Sequence, residues 1–298
     1  MDKSEVKTTK IVYGIFCVAG TAAIVFAARA SGAQLNIFTV LLIFVGLAVA
    51  FFPIHLIFVA ARGVIMTFKL EKKWKALRPI LDDHCDAEKY LAELEGLVAS
   101  VHGQIFMKPH PLLWPPVCLS LAEGHNFCGN YDRAVEIVEE VLATAKSGKR
   151  DDVAYRYSAL MSLAGLYVVK KEPDKAREYR AMLPEYQATV SAWKADAKTK
   201  NLLDSWEKAV LWLDNAFLID EGKFAEALPF YQKEWENGEN NMLTKVIIRC
   251  SLSAIYKGLG EDEKYKECLA FVAEYGGNTY MAKQAREEVK MFDEGGVL

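Results

Sequence analysis

The chain has 298 residues, of which 52% are hydrophobic and 25% are charged, and its formal net charge is −3. That length suits one or two domains, but the small net charge conceals two parts of opposite sign. Residues 1–81 hold ten Lys and Arg against three Asp and Glu, or +7, and residues 82–298 hold 26 against 36, or −10. The acidic part argues against nucleic acid as the main partner, because phosphate binding needs clustered basic side chains.

Two uncharged apolar runs near the N-terminus predict a transmembrane hairpin. The first run covers residues 11–28, and the second covers residues 37–61 and contains a single histidine, His55. A helix needs about 20 mostly apolar residues to cross the hydrocarbon of a bilayer. Residues 1–10 form a short tail before the hairpin, and residues 62–81 follow it as a basic juxtamembrane helix.

The charges that flank the two runs predict an orientation. Three basic residues precede the first run, one lies in the loop and six follow the second run up to Arg78, and positive flanks stay inside. We therefore expect an integral inner or plasma membrane protein with both termini and the large domain cytoplasmic. A cleaved signal peptide is the alternative, because Ala28-Arg29-Ala30 resembles a signal-peptidase site, although the first run exceeds the usual length of about 7–15 residues.

Small residues recur along both runs. Ala19, Ala23 and Ala27 lie four residues apart in the first run, as Gly46 and Ala50 do in the second. In an antiparallel hairpin the two stripes can pack closely, as small-xxx-small faces do. The alternative is chance, because alanine is a common residue.

The sequence carries no recognisable catalytic or metal-binding signature. Its six cysteines form no CxxC pair, which favours buried thiols in a reducing compartment over a disulfide framework. His125 and Cys128 could share one face of a helix, but no HExxH motif, paired CxxC, Walker loop or dinucleotide-binding glycine pattern accompanies them. We expect no metal, no cofactor and no enzymatic activity.

Residues 82–298 predict an all-α domain with a recurring pattern. The stretch from Leu121 to Ala134 carries a small residue at Ala122, a ring at His125, and Gly129 and Tyr131 at a turn. This stretch resembles a tetratricopeptide repeat, a helix-turn-helix unit of about 34 residues. Weaker copies contain Leu163, Ala164, Tyr167 and Ala176, then Gly222, Phe224, Ala227 and Tyr231, then Leu252, Tyr256 and Gly260.

The spacing of these copies is irregular. Positions 134, 176, 227 and 265 correspond to one another, and all three intervals between them differ. Each interval is also longer than the roughly 34 residues of a regular array. The resemblance therefore implies a degenerate α-solenoid of helical hairpins with long connectors. A helical bundle of another kind is the alternative fold.

The resemblance also implies a groove that binds a partner protein. The family's inward-facing positions fall on Leu119 and on nine further residues that we predict as groove residues: Glu123, Asn126, Phe127, Met161, Val168, Trp212, Ile219, Asp220 and Lys257. Trp212 and Met161 are the preferred anchors, because aromatic residues dominate interfaces and methionine adapts its shape. The alternative is that these side chains belong to the core.

Together these features predict a membrane-anchored scaffold for protein–protein interactions. Its tetratricopeptide-like domain would recruit or organise partner proteins at the membrane. One alternative is a subunit of a larger membrane complex for transport, secretion or the envelope, in which the hairpin is the working part. A second alternative is a metal or thiol enzyme.

Overall fold

In a computed structural model, all regular secondary structure of the described residues is α-helical, which confirms the all-α prediction. The structure describes residues 18, 21–26, 28, 30, 37–102, 114–144, 150–193 and 196–294. The helices are α1 (Ile37–Asp82), α2 (Ala87–His102), α3 (Trp114–Phe127), α4 (Tyr131–Thr144), α5 (Arg150–Val169), α6 (Pro173–Ser191), α7 (Ala197–Asp220), α8 (Phe224–Glu236), α9 (Met242–Leu259), α10 (Asp262–Tyr275) and α11 (Tyr280–Asp293). Residues 21–26 are also helical.

The chain divides into two compact units. The first comprises residues 1–73 and 96–113, and the second comprises residues 74–95 and 114–298. The first unit contains the amino-terminal part of α1, where Leu41, Leu42, Val45 and Val49 are between 48% and 68% exposed.

The prediction of two membrane spans is contradicted, and with it the inner-membrane localisation. Among the residues that the structure describes, no helix is long and apolar enough to cross a membrane. The first predicted span, residues 11–28, is described continuously only over residues 21–26, and the described side chains of the second, residues 37–61, end at Val49.

Some of the small residues that were predicted to pack together lie outside the described residues. Ala19, Ala27 and the side chain of Ala50 are not among the described groups. Ala23 and Gly46 are exposed, and a Cβ added at Gly46 would meet no described atom within 4 Å. Close packing between the two stripes therefore stays a prediction.

The second unit is built from successive helical hairpins. The pairs α3–α4, α5–α6, α7–α8 and α9–α10 each pack side by side, and α11 packs on α10. The first helices of the hairpins also contact in series, α3 with α5, α5 with α7 and α7 with α9. We call these four helices the first-helix row.

One turn geometry closes all four hairpins. Gly129, Lys171, Gly222 and Gly260 each adopt a left-handed conformation, with φ of 85°, 60°, 73° and 72°. In each turn the next residue donates its N–H to a carbonyl in the last turn of the first helix, the bonds being Asn130 to His125, Glu172 to Tyr167, Lys223 to Leu218 and Glu261 to Tyr256, at 2.8–2.9 Å. This arrangement satisfies carbonyl groups that a helix end otherwise leaves free.

The centre of the unit lies between α5, α6 and α7. The rings of Tyr157 and Trp206 stack with centroids 3.6 Å apart, and both residues are buried. Gln187 of α6 donates to the Tyr157 hydroxyl at 3.3 Å, so the buried phenol has a polar partner. Aromatic pairs of this kind supply much of the apolar area that a core buries.

The beginning and the end of the second unit contact each other. After α1, Cys85 takes a left-handed conformation, and its carbonyl accepts the N–H of Asn278 at 3.2 Å. The Asn278 side chain donates to Asp86 at 2.7 Å, and Lys283 pairs with Glu88 at 2.6 Å. Gly277 lies directly against this turn, so that α11 holds α2 in place.

Gly277→Ala should destabilise the protein. A Cβ at this position would lie 2.4 Å from the Cys85 carbonyl oxygen, and the φ of +56° is unfavourable for alanine. We expect the free energy of unfolding to fall by about 2 kcal/mol or more, measured by urea unfolding of the full-length protein.

Gly165→Ala is the matched control for Gly277→Ala. It lies inside α5, where an added Cβ meets nothing within 4 Å, so its helix propensity should raise stability by about 0.5–1 kcal/mol. Equal unfolding midpoints for the two variants would show that the contact between Cys85 and Gly277 is not tight.

Candidate functional site

A cavity of about 410 Å³ lies between the first two members of the first-helix row. Its residues come from α3, α4 and α5: Leu119, Ser120, Ala122, Glu123, Asn126, Val138, Ser158, Ser162, Gly165 and Leu166. A volume of this size falls in the range of about 300–1,000 Å³ that binding sites occupy.

Small side chains on α5 create this space. Ser158, Ser162 and Gly165 are four and three residues apart, so that they share one face of the helix. Glycine inside a helix costs about 0.5–1 kcal/mol relative to alanine. At Gly165 that cost leaves open volume, because a Cβ there would meet nothing within 4 Å.

An ion-pair cluster fixes the charged side chain of the cavity. Both carboxylate oxygens of Glu123 accept bonds from Arg78 of α1, Oε1 from Nη2 at 3.0 Å and Oε2 from Nη1. Arg78 Nε also donates to Asp82 at 2.8 Å. Burial alone would lower the pKa of Arg78, but its bonds to Glu123 and Asp82 raise it, so the guanidinium stays charged.

A second hydrogen bond joins α1 to α3 beside the cavity. The indole Nε1 of Trp74 donates to the Ser120 hydroxyl at 3.0 Å. Ser120 lines the cavity, and it is buried. The end of α1 therefore positions two of the polar side chains that α3 presents to the cavity.

The structure places only two of the nine predicted groove residues on this cavity. Glu123 and Asn126 line it, together with Leu119. Phe127 is buried, and Met161 and Val168 are half-buried and pack against the core.

The other predicted residues lie farther along the first-helix row. Trp212 packs edge-to-face against Phe230 and Tyr231, with centroids 5.2 and 5.7 Å away. The remaining three are Ile219, which is half-buried, Asp220, which pairs with Lys171 at 3.2 Å, and Lys257, which pairs with Glu288 at 2.7 Å. These interactions lie within the chain itself.

Sequence reasoning missed the α5 wall of the cavity. When the first two hairpins are aligned on their turns, so that Lys171 corresponds to Gly129, Ser162 and Gly165 correspond to Ser120 and Glu123. The register that identified Glu123 could therefore have identified Gly165. The preferred anchors, Trp212 and Met161, are large side chains, whereas this wall of the cavity is built from small ones.

The described thiols are protonated at neutral pH. Burial raises the pKa of Cys118 to about 12 and that of Cys85 and Cys250 to about 11. A thiolate is the nucleophilic and metal-ligating form, so these cysteines suit packing. Within the described ranges, no group of three His, Cys, Asp or Glu is placed to hold a metal ion.

His125, one of the candidate metal ligands, is a buried histidine of α3. Its Nε2 lies 3.7 Å from Glu95, and its Nδ1 has no hydrogen-bond partner among the described groups. Burial lowers the pKa of His125, Glu95 opposes this effect, and Arg133 of α4 adds to it. The neutral ring is therefore the form that the folded protein favours.

No family model, curated protein or solved structure matches this chain. The resemblance to tetratricopeptide repeats therefore depends on the residues of the chain alone, and it enters below only as part of a proposal.

His125→Phe should make the protein less sensitive to acid. Because the folded state lowers the pKa of His125 below its ordinary value of 6.5, the unfolded state binds the proton more readily, and stability falls as pH drops below about 6.5. Phenylalanine fills the same position without titrating.

The measurement is the melting temperature of wild type and His125→Phe between pH 7.5 and pH 5. We expect the wild type to lose more stability than the variant over this interval. Parallel curves would show that protonation of His125 does not affect folding.

Proposed function

We propose that the second unit binds a segment of a partner protein, with the cavity between α3 and α5 as the centre of the interface. The supporting observation is that this cavity is lined mainly by the first-helix row. Glu123 and Asn126 from α3 line it together with Ser162 and Gly165 from α5, and Glu123 and Asn126 are inward positions that the resemblance to tetratricopeptide repeats implies.

The common turn geometry supports this proposal. The left-handed residues at positions 129, 171, 222 and 260 follow one another at the same unequal intervals as positions 134, 176, 227 and 265 of the four imperfect copies. Helical-hairpin arrays use the surface formed by their first helices to hold extended or helical peptides.

The last helix, α11, packs against both the first and the last hairpin. Tyr131 of α4 and Tyr280 of α11 meet edge-to-face at 5.7 Å. Burial, the Tyr280 hydroxyl and the Cys250 thiol of α9 together raise the pKa of Tyr131 to about 12. Lys257 of α9 is paired with Glu288 of α11. This packing supports a short interface at α3 and α5 over one along the whole row.

Site-specific photo-crosslinking tests the proposal. A benzoylphenylalanine at Asn126, in the cavity, should form an adduct with one defined protein in the native host, because a bound segment would lie within reach. The same amino acid at Ser191, which is exposed on α6, should not form that adduct.

A variant whose new side chain fills the cavity provides the second comparison. Gly165→Leu, combined with the crosslinker at Asn126, should abolish the adduct, whereas Gly165→Ala should preserve it. The same adduct from Asn126, Ser191 and the Gly165→Leu protein would contradict a binding site between α3 and α5.

A further inference from the structure

We propose that the cavity between α3 and α5 accepts a lysine or arginine side chain of the bound segment, with Glu123 as its counter-ion. This inference rests on the proposed function and adds the chemistry that the partner must carry. The cavity and the charges around it support it independently of any resemblance.

The polar groups that line the cavity favour a positively charged ligand. Glu123 is the one ionisable residue of its described lining, and the other polar groups are the hydroxyls of Ser120, Ser158 and Ser162 and the amide of Asn126. Hydroxyl and amide oxygens accept hydrogen bonds, as the donors of an ammonium or guanidinium group require. No basic side chain contributes to the lining as the structure describes it.

The positive charge of Arg78 does not neutralise both of its carboxylate partners. Arg78 is shared between Glu123 and Asp82, so these three residues carry a net charge of −1. The Oδ1 atom of Asp82 is buried and accepts no hydrogen bond from a described group. A second cation near Glu123 would therefore restore neutrality to the cluster.

Glu123 retains the capacity to bind that cation. A carboxylate has about four lone-pair positions, and Arg78 uses one on each oxygen. The Glu123 side chain is 31% exposed, so part of it remains accessible. The bidentate bond to Arg78 also holds the carboxylate in one orientation, which reduces the entropy lost when a ligand binds.

The rest of the cavity suits the aliphatic part of such a side chain. Leu119, Val138 and Leu166 provide apolar surface beside the hydroxyl groups. Lysine and arginine bury their methylene groups along apolar surface while the charged end finds polar partners. The acidic excess of residues 82–298 would also draw a basic segment toward the protein.

A positional-scanning library of short soluble peptides tests the inference. In each pool one central position is fixed and the others are mixed, and binding to the full-length protein is measured by fluorescence anisotropy. Mild detergent is included because α1 exposes apolar side chains. We expect the Lys and Arg pools to bind at least tenfold more tightly than the Asp and Glu pools, with a preference that weakens as salt increases.

Two variants identify the side chains responsible. Glu123→Gln, with folding checked by melting temperature, should reduce the preference for basic pools at least fivefold. If it fails to fold, Asn126→Lys, which places a competing ammonium group in the cavity, serves the same purpose. Gly165→Leu should abolish binding of every pool, and Ser191→Leu, which introduces the same side chain at an exposed position of α6 outside the cavity, should leave binding unchanged.

The outcomes separate this inference from the proposed function. Acidic or apolar pools that bind best and are lost with Gly165→Leu would overturn the basic preference while supporting a segment-binding cavity. A basic preference that survives in both charge variants would overturn the role of Glu123. If no pool binds the wild type, both the inference and the proposed function fail.

Discussion

The packing of the second unit depends on one backbone constraint, the left-handed residue that ends the first helix of each hairpin. Seven residues before it lies a small buried residue, and five residues after it lies a second buried residue: Ala122 and Ala134, Ala164 and Ala176, Asn215 and Ala227, and Ser253 and Tyr265. The turn sets the register between the paired helices, so the same two buried positions recur in every hairpin. In the first two hairpins both residues are alanine, and such small side chains suit close packing.

The same register places the cavity. Once α3 and α5 are aligned, Ser158, Ser162 and Gly165 face the side chains of α3, and their small volume leaves the space unfilled. The α3 side of the cavity is then fixed from outside the hairpin, since Trp74 and Arg78 of α1 bond to Ser120 and Glu123. The site thus combines an open wall on α5 with a positioned wall on α3.

Two ionisable side chains of α3, Glu123 and His125, differ in what they contribute to the protein. The pair of Arg78 and Glu123 is partly exposed, so it contributes less to stability than to the orientation of the carboxylate. His125 is buried without a described partner for Nδ1, so its neutral form is favoured, and its protonation opposes folding. One interaction organises the candidate site, and the other adds a sensitivity to acid.

The sequence by itself determined the helical class, because the spacing of apolar residues is local. The resemblance to a repeat family implied the turns at Gly129, Gly222 and Gly260 and the inward positions of Glu123 and Asn126, which line the cavity. The second copy has no glycine at its turn, and there Lys171 adopts the left-handed conformation. The hydropathy of residues 37–61 predicted a membrane span that the described residues contradict, because an apolar run must leave water but does not specify what covers it.

Only the tertiary structure decided which inward positions border a cavity. Trp212 and Lys257 satisfy the same spacing rule as Glu123, yet α8 and α11 of the same chain contact them. The partners of Glu123 and of Gly277 are Arg78 and Cys85, which lie in much earlier parts of the chain. No local pattern records such distant contacts, because they depend on how many hairpins stack before the chain returns to its first helices.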